Sequence, residues 1–129
     1  MMIAEARTFT EQRTLSQADL DRFAALSGDC NPIHVDPEFA AHTRFGRTIA
    51  HGALLVCLLA GMIRRVEKRE RIVSQAIRFP TPAHPGQELE LEVRDAGLDH
   101  GRRAWACRVV RCADGAAAAE GTLTTEPEA

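Results

Sequence analysis

An uninterrupted apolar stretch from residue 53 to residue 63 constrains the fold more than any other feature: Ala-Leu-Leu-Val-Cys-Leu-Leu-Ala-Gly-Met-Ile. A helix that is apolar on every face is surrounded by protein rather than lying on a surface. The 11 residues are too few to span a bilayer. We therefore predict one long buried helix over residues 49–67, with the rest of the chain folded around it.

The second half of the chain has the pattern of β-strands. Residues 88–93 alternate strictly between glutamate and apolar residues, and Asp114-Gly115 is typical of a hairpin turn. After a short edge strand over residues 5–14, we predict four strands with hairpin-like connections over residues 71–79, 88–93, 103–111 and 116–124. Consecutive hairpins form an antiparallel sheet. The predicted fold class is α+β, a single domain over residues 1–129 with one curved antiparallel sheet wrapped around one long helix.

Composition narrows the class of protein. The hydrophobic fraction of 45% and the charged fraction of 26% are typical of a soluble globular protein, and the net charge of −2 gives no reason to expect nucleic acid as a partner. Four cysteines without paired spacing indicate neither a zinc site nor a disulfide framework. Residues 1–10 lack the apolar core of a secretion signal. We expect a cytoplasmic protein with reduced thiols and no membrane segment.

Helix signals place a polar loop early in the chain. Ser16 with Asp19 fits a capping box, and Gly28 fits a helix stop, so a helix should end just before Asp29. Asn31-Pro32 breaks regular structure, and Asp36-Pro37 begins a short helix over residues 37–43. The loop therefore holds Asp29 in irregular backbone, where catalytic groups are often found.

Asp29 and His34 are the first candidates for chemistry. A carboxylate and an imidazole can accept and donate protons near neutral pH, and a short loop can direct both into one cavity. The alternative is a structural turn, Gly-Asp-x-Asn-Pro, in which the aspartate only caps backbone N–H groups. Spacing alone leaves both interpretations open.

His51-Gly52 is the second candidate, because it lies at the start of the long helix. A helix N-terminus offers unpaired N–H groups to an anion or a developing oxyanion, and glycine permits close approach of a ligand. The alternative is that His51 caps or packs and that Gly52 avoids a clash.

Two further clusters are weaker. His34, Asp36, His42 and His51 are close in sequence, but they match no known ligand spacing, and Asp36 is explained as a helix cap, so we predict no metal site. A basic cluster at the other end of the long helix is either a solvated helix end or a contact for an anionic ligand tail such as a phosphate. Its residues are Arg64, Arg65, Lys68, Arg69 and Arg71.

Three segments together resemble the MaoC-like hydratase family, the (R)-specific enoyl-CoA hydratases and (3R)-hydroxyacyl dehydratases of hot-dog fold. They are residues 27–36 (Ser-Gly-Asp-Cys-Asn-Pro-Ile-His-Val-Asp), residues 45–52 (Phe-Gly-Arg-Thr-Ile-Ala-His-Gly) and residues 79–89, which begin Phe-Pro. The resemblance implies reversible hydration of a trans-2-enoyl thioester to the (3R)-3-hydroxyacyl thioester. No metal or redox cofactor is implied, and coenzyme A enters only as the substrate carrier.

The resemblance also implies residue roles. Asp29 acts as base toward a water held with His34, and His34 donates the proton at the α-carbon. Gly52 binds the thioester oxygen through its N–H, while Asn31 and His51 complete the binding set by ordering the loop and supporting the turn. Some members carry a serine where this chain has Ala60, so a secondary polar contact is in doubt.

Partners and alternatives follow from the same resemblance. We expect at least a homodimer, or a heterodimer with a related subunit, in which a second copy completes the cleft. An acyl carrier protein thioester, or a branched or dicarboxylic acyl-CoA, is the alternative substrate. Thioester hydrolysis is a different reaction on this fold, although hot-dog thioesterases usually lack the Asp-x4-His loop. A non-catalytic thioester-binding subunit is a third possibility.

Overall fold

The computed structural model describes residues 7–128, which form five strands and four helices. In chain order these are β1 (Thr8–Thr14), α1 (Gln17–Ser27), α2 (Pro32–Val35), α3 (Pro37–Ala41), α4 (Gly52–Val66), β2 (Glu70–Arg78), β3 (Glu88–Asp99), β4 (Arg102–Arg111) and β5 (Ala117–Pro127). The predicted α+β class is confirmed. Residues 5 and 6 of the predicted first strand lie outside the described residues.

The strands form one antiparallel sheet in the order β1-β3-β4-β5-β2. The hairpins β3–β4 and β4–β5 are as predicted, but a hairpin-like connection between β2 and β3 is wrong. β1 already occupies the outer side of β3, with Thr8 opposite Arg94, so β2 pairs with β5, with Arg78 opposite Glu120. Residues 79–87, which contain three prolines, carry the chain from one sheet edge toward the other.

Helix α4 packs on the inner face of the sheet. Its buried side chains include Leu55, Leu59 and Ile63, which belong to one apolar cluster with inward-facing strand residues. The strand residues of this cluster are Leu89, Leu91, Val93, Trp105, Cys107, Val109, Ala118, Ala119 and Leu123. Burial alternates along β3 as expected for a strand with one face on the core. This packing holds the start of α4 in a fixed position against the sheet.

Helix α4 differs from its prediction in two respects. It begins at Gly52 rather than residue 49, because His51 has a non-helical ψ of 134° and the N–H groups of Ile49 and Ala50 hold the preceding segment against the carbonyls of Ile33 and Ala83. The predicted burial on every side is also wrong within one chain, since Ala53 and Cys57 are exposed. One apolar face of the helix is therefore open.

The polar loop follows its predicted boundaries closely. The Ser16 side chain accepts from the Asp19 N–H, the Asp19 carboxylate accepts from the Ser16 N–H, and Gly28 has a φ of 82°, as a helix stop requires. The expected break at Asn31-Pro32 is followed at once by the single helical turn α2, because proline fits the first helical position and Asn31 caps it. Helix α3 ends at Ala41, two residues before the predicted end.

Among the described residues, no helix is both long enough and apolar enough to cross a membrane.

Candidate active site

Asp29 and His34 face each other across a short gap. His34 Nε2 lies 3.7 Å from Asp29 Oδ2, and the side chains are 12% and 53% exposed, respectively. The gap is too long for a direct hydrogen bond, and one water can contact both atoms at about 2.8 Å. The structure therefore brings the two predicted proton-transfer groups together at one site.

Backbone contacts orient both side chains. His34 Nδ1 is 2.8 Å from the Ile49 carbonyl, which can only accept, so Nδ1 carries a proton and Nε2 is the nitrogen directed at Asp29. The Asn31 N–H donates to Asp29 Oδ1 at 3.3 Å, which leaves Oδ2 for His34. The capping hydrogen bond of a structural turn and the close approach of Asp29 to His34 therefore occur together in this loop.

Asn31 orders the loop rather than facing His34. Its side-chain oxygen accepts from the Ile33 N–H at 3.2 Å and so caps α2, the turn that carries His34. The side chain is exposed in the single chain. The observed contacts of Asn31 thus hold the two acid–base side chains in one local unit.

His51 lies behind the pair, with 1% of its surface exposed. Its Nε2 is 3.0 Å from the Asp29 carbonyl, and its ring stacks on His34 with centroids 3.9 Å apart. Burial lowers the pKa of His51, and the nearby His34 lowers it further. The hydrogen bond to the Asp29 carbonyl raises it by less, so the ring is neutral at pH 7. His51 therefore contacts the pair and not the solvent.

Gly52 opens α4 beside the pair. Its N–H has no hydrogen-bond partner within the described part of the chain, as expected for the first residue of a helix. A Cβ built on Gly52 would lie 2.8 Å from Cζ of Phe79, closer than real Cβ contacts allow. A larger residue at position 52 would therefore displace the aromatic ring that covers the helix start.

A cleft of about 280 Å³ joins these elements. His34, Gly52 and Phe79 are among its lining residues, and the apolar part of the lining comes from the segment that leads into α4, the first turn of α4, the loop after β2 and strand β5. That apolar part includes Ile49, Ala50, Leu55, Ala83 and Ala118. An imidazole and a free helix N–H thus share one mostly apolar cleft, with Asp29 beyond His34.

Charge at the cleft comes from a residue that sequence reasoning missed. Arg44 lines the cleft, rests over the Phe45 ring at 4.8 Å, and pairs with no carboxylate in residues 7–128. Arg64 and Arg65, by contrast, pair with Glu128 and Glu11 at the far end of α4. With about 1.5 Å per helical residue, that end lies roughly 18 Å from Gly52. The solvated-helix-end interpretation therefore fits Arg64 and Arg65 better.

Phe79 was also missed as a site residue. Its side chain is 47% exposed although it is large and apolar, which is unusual enough to mark it. The sequence signal was the aromatic residue directly before the proline-rich loop, but nothing in the spacing placed that loop over the start of α4.

A metal ion does not fit the cluster of Asp29, His34 and His51, although their potential ligand atoms lie within 4.8 Å of one another. The two imidazole rings stack at 22°, so their in-plane lone pairs do not converge on one point. His51 Nε2 is also engaged with the Asp29 carbonyl. Asp36 caps α3 and His42 Nδ1 contacts the Glu38 carbonyl, so neither joins the cluster.

The family model and the relatives that match this chain agree with one another. Residues 2–112 match the family model described as a MaoC like domain. Over 83 residues the chain is 41% identical to an (R)-specific enoyl-CoA hydratase of Aeromonas caviae, a match covering 63% of this chain and 62% of that protein. Over 94 residues it is 35% identical to a 3-hydroxybutyryl-CoA dehydratase of Methylorubrum extorquens, covering 71% and 60%. The chain therefore spans less than two thirds of either relative's length.

Solved structures extend the likeness over the whole chain. The (R)-hydratase of Aeromonas caviae, described as involved in PHA biosynthesis, superimposes with a TM-score of 0.89 at 30% identity, covering 97% of both chains. An unliganded R-hydratase of Pseudomonas aeruginosa gives a TM-score of 0.86 at 31% identity, covering 98% of this chain and 84% of that one. The sheet, the central helix and the matched residues agree: this chain is a member of the MaoC-like family and has its hot-dog fold.

Proposed function

We propose that the chain catalyses the reversible hydration of a trans-2-enoyl-CoA to the (3R)-3-hydroxyacyl-CoA. The observation that carries the proposal is the cleft in which His34, backed by Asp29, lies near the unpartnered N–H of Gly52. Hydration needs a group that activates water, a group that protonates the α-carbon, and a donor for the thioester oxygen. In the proposed mechanism these three groups are Asp29, His34 and the N–H of Gly52, which lie at or beside the cleft.

In the proposed mechanism, Asp29 takes a proton from water and His34 gives a proton to the substrate. The water is bound between Asp29 Oδ2 and His34 Nε2, and Asp29 removes a proton from this water as the water oxygen bonds to carbon 3. Protonated His34 gives its Nε2 proton to carbon 2, since Nδ1–H is held by the Ile49 carbonyl. The proton on Asp29 then returns to His34 across the gap, which restores the pair. The net change is addition of one water.

The start of α4 stabilises the charge that develops on the thioester. As carbon 3 is attacked, the thioester oxygen gains enolate character, and the Gly52 N–H donates to it. The positive end of the helix dipole acts in the same direction. Since the N–H and the acid–base pair supply all the required groups, the proposed reaction uses no metal or redox cofactor.

The cleft favours a short acyl group on a phosphate-bearing carrier. Its volume of about 280 Å³ lies just below the range of roughly 300–1,000 Å³ that is usual for drug-sized ligands. Arg44 is the unpaired cation of the lining, and guanidinium groups bind phosphate or carboxylate oxygens well. We assign it to an anionic group of the substrate, either on the carrier arm or at the far end of a dicarboxylic acyl chain.

A second copy of the chain is the proposed partner. The open face of α4 exposes Ala53 and Cys57, and the edge strand β2 presents an uncharged outer run, residues 72–77, without proline. Edge strands that stay unpaired are usually protected by charge or proline. A homodimer that joins two β2 edges covers both features; a heterodimer with a related chain would do the same. The four cysteines are free, which suits the proposed cytoplasmic location.

The test is a substrate screen on the purified protein. Loss of enone absorbance with crotonyl-CoA and longer enoyl-CoAs, with chiral analysis giving the (3R) product, is the expected result. Parallel samples carry the same acyl group on acyl carrier protein, and a thiol reagent records any thioester hydrolysis. Thiol release from acyl-CoA without hydration of any enoyl thioester would replace the proposal with a thioesterase. Light scattering during gel filtration measures the mass and so decides between monomer and dimer.

A further inference from the structure

His51 makes contacts that no simple packing role explains. It is almost fully buried, it donates from Nε2 to the Asp29 carbonyl, and its ring lies on His34. It is also the residue directly before Gly52 and caps α4 with its backbone. One side chain thus touches both members of the proton-transfer pair and is bonded to the proposed oxyanion donor.

The second ring nitrogen makes the choice of histidine unusual. Nδ1 is buried and has no hydrogen-bond partner among the described residues. Buried polar atoms are nearly always paired, and an unpaired one costs stability. Phenylalanine would fill a similar space without that cost, but it could not donate to the Asp29 carbonyl. The histidine is therefore poorly explained by stability and well explained by the two contacts that it makes.

Building on the proposed function, we propose that His51 is a positioning residue that holds Asp29 and His34 in register with the Gly52 N–H. Asp29 and His34 lie on the loop and turn before α3, whereas Gly52 begins α4, so the two halves of the site belong to different elements. The His51 side chain links them, in addition to the hydrogen bond between His34 Nδ1 and the Ile49 carbonyl. It sets where the activated water stands relative to the bound thioester oxygen.

The stacked ring also suits a neighbour that changes charge. During the proposed reaction His34 alternates between imidazole and imidazolium, while His51 remains neutral. The face of a neutral aromatic ring accommodates a cation, whereas a second positive charge at 3.9 Å between centroids would repel it. The N–H that His51 gives to Asp29 keeps its tautomer fixed throughout.

Two variants separate the two contacts. His51→Phe keeps the stacked ring and loses the donor, and His51→Gln keeps a donor of similar reach and loses the ring. Phe23→Leu is the matched control, because Phe23 meets the His51 ring edge-on at 4.9 Å but is not in the pair. Thermal unfolding of each protein establishes that it is folded before its kinetics are compared.

The expected result is a split between kcat and KM. A displacement of about 1 Å in a reacting group costs about 100-fold in rate, so kcat should fall by roughly that factor in His51→Phe, with KM for crotonyl-CoA within about threefold of wild type. His51→Gln should recover part of the loss, and Phe23→Leu should retain wild-type kcat. Equal losses of kcat in Phe23→Leu and His51→Phe, or wild-type kcat in both His51 variants, would overturn the proposal.

A spectroscopic measurement needs no substrate. In long-range ¹H–¹⁵N spectra at pH 7, His51 of the wild-type protein should be the neutral Nε2–H tautomer, because Nε2 donates to the Asp29 carbonyl and burial lowers the pKa of the ring. A protonated His51 at pH 7, or an Nδ1–H tautomer, would contradict the proposal even if hydration is observed. Absence of hydration with a neutral Nε2–H His51 would instead count against the proposed reaction alone.

Discussion

Replacing Gly52 by alanine tests the arrangement at the start of α4. The added Cβ would lie 2.8 Å from Cζ and 3.0 Å from Cε1 and Cε2 of Phe79, whereas ordinary contacts begin near 3.4 Å. The ring must therefore move by about half an ångström or more, or the helix start must shift. Either movement changes the wall beside the proposed thioester site.

Gly52→Ala should change stability little and lower activity strongly. Alanine is favoured over glycine in helices by up to about 1 kcal/mol, and Phe79 is a partly exposed ring that can turn, so Gly52→Ala should unfold within about 1 kcal/mol of wild type. Loss of one oxyanion donor costs about 100- to 1,000-fold in kcat, and a displaced donor should cost about 30-fold or more. The measurement is kcat for crotonyl-CoA hydration together with urea unfolding.

Gly61→Ala is the matched control on the same helix. A Cβ there would meet only Arg65 Nη1, at 3.7 Å, which is ordinary contact. It should keep wild-type kcat. Adding Phe79→Ala to Gly52→Ala removes the clash and should restore part of the activity if the ring is the cause. Wild-type kcat in Gly52→Ala, with normal folding, would refute the assignment of the helix start as the oxyanion site.

Three further predictions concern other parts of the molecule. Burial alone would raise the pKa of Asp95, but hydrogen bonds from Arg7 and the Gly97 N–H and the charge of Arg103 lower it below the ordinary value. This carboxylate therefore stabilises the fold at neutral pH, and its contribution is lost as the pH falls from the ordinary aspartate pKa through the lowered one. Asp95→Asn should lower the Tm at pH 7 and flatten its decline in acid; an unchanged Tm at pH 7 would show that the ion pairs contribute nothing. Arg44→Gln should raise KM for crotonyl-CoA several-fold without changing kcat. If the carrier phosphate is the partner of Arg44, the substitution should leave KM for crotonyl-pantetheine unchanged. If the partner is the distal carboxylate of a dicarboxylic acyl chain, the substitution should raise KM for a dicarboxylic enoyl-pantetheine as well. Arg94→Gln, at an exposed cation on β3 away from the cleft, is the control, and equal effects of the two substitutions would remove Arg44 from the site. Burial raises the pKa of the Cys107 thiol to about 11. Iodoacetamide should therefore alkylate the exposed Cys30 and Cys112 in the native protein, and Cys107 only after denaturation, as measured by mass spectrometry. Rapid labelling of Cys107 in the native protein would contradict its burial.

Local signals predicted much of this fold because they act over a few residues. The capping box at Ser16, the left-handed Gly28 and the cap at Asp36 each depend on neighbouring backbone, and each occurs where the sequence indicated. The alternation of residues 88–93 likewise predicted which face of β3 is buried. The loop that carries Asp29 and His34 is bounded by these signals, so its position was predictable.

Long-range pairing was not predictable in the same way. Nothing in the composition of β2 states that it pairs with β5 rather than β3, since that choice depends on β1 occupying the outer edge of β3. The position of Phe79 over Gly52 follows from the same crossover, which is why the ring was missed. The start of α4 was placed three residues early because Ile49 and Ala50 bond to Ile33 and Ala83, contacts made only in the folded chain.

The most direct test of the central claim compares wild type with Asp29→Asn and His34→Ala in one chirally resolved hydration assay on crotonyl-CoA. Both variants should fold, because the Asp29 side chain is half exposed and α2 is a single surface turn. The account predicts (3R)-3-hydroxybutyryl-CoA from the wild type and a loss of about 1,000-fold in kcat for each variant. Turnover near wild type in either folded variant, or a racemic product from the wild type, would contradict it.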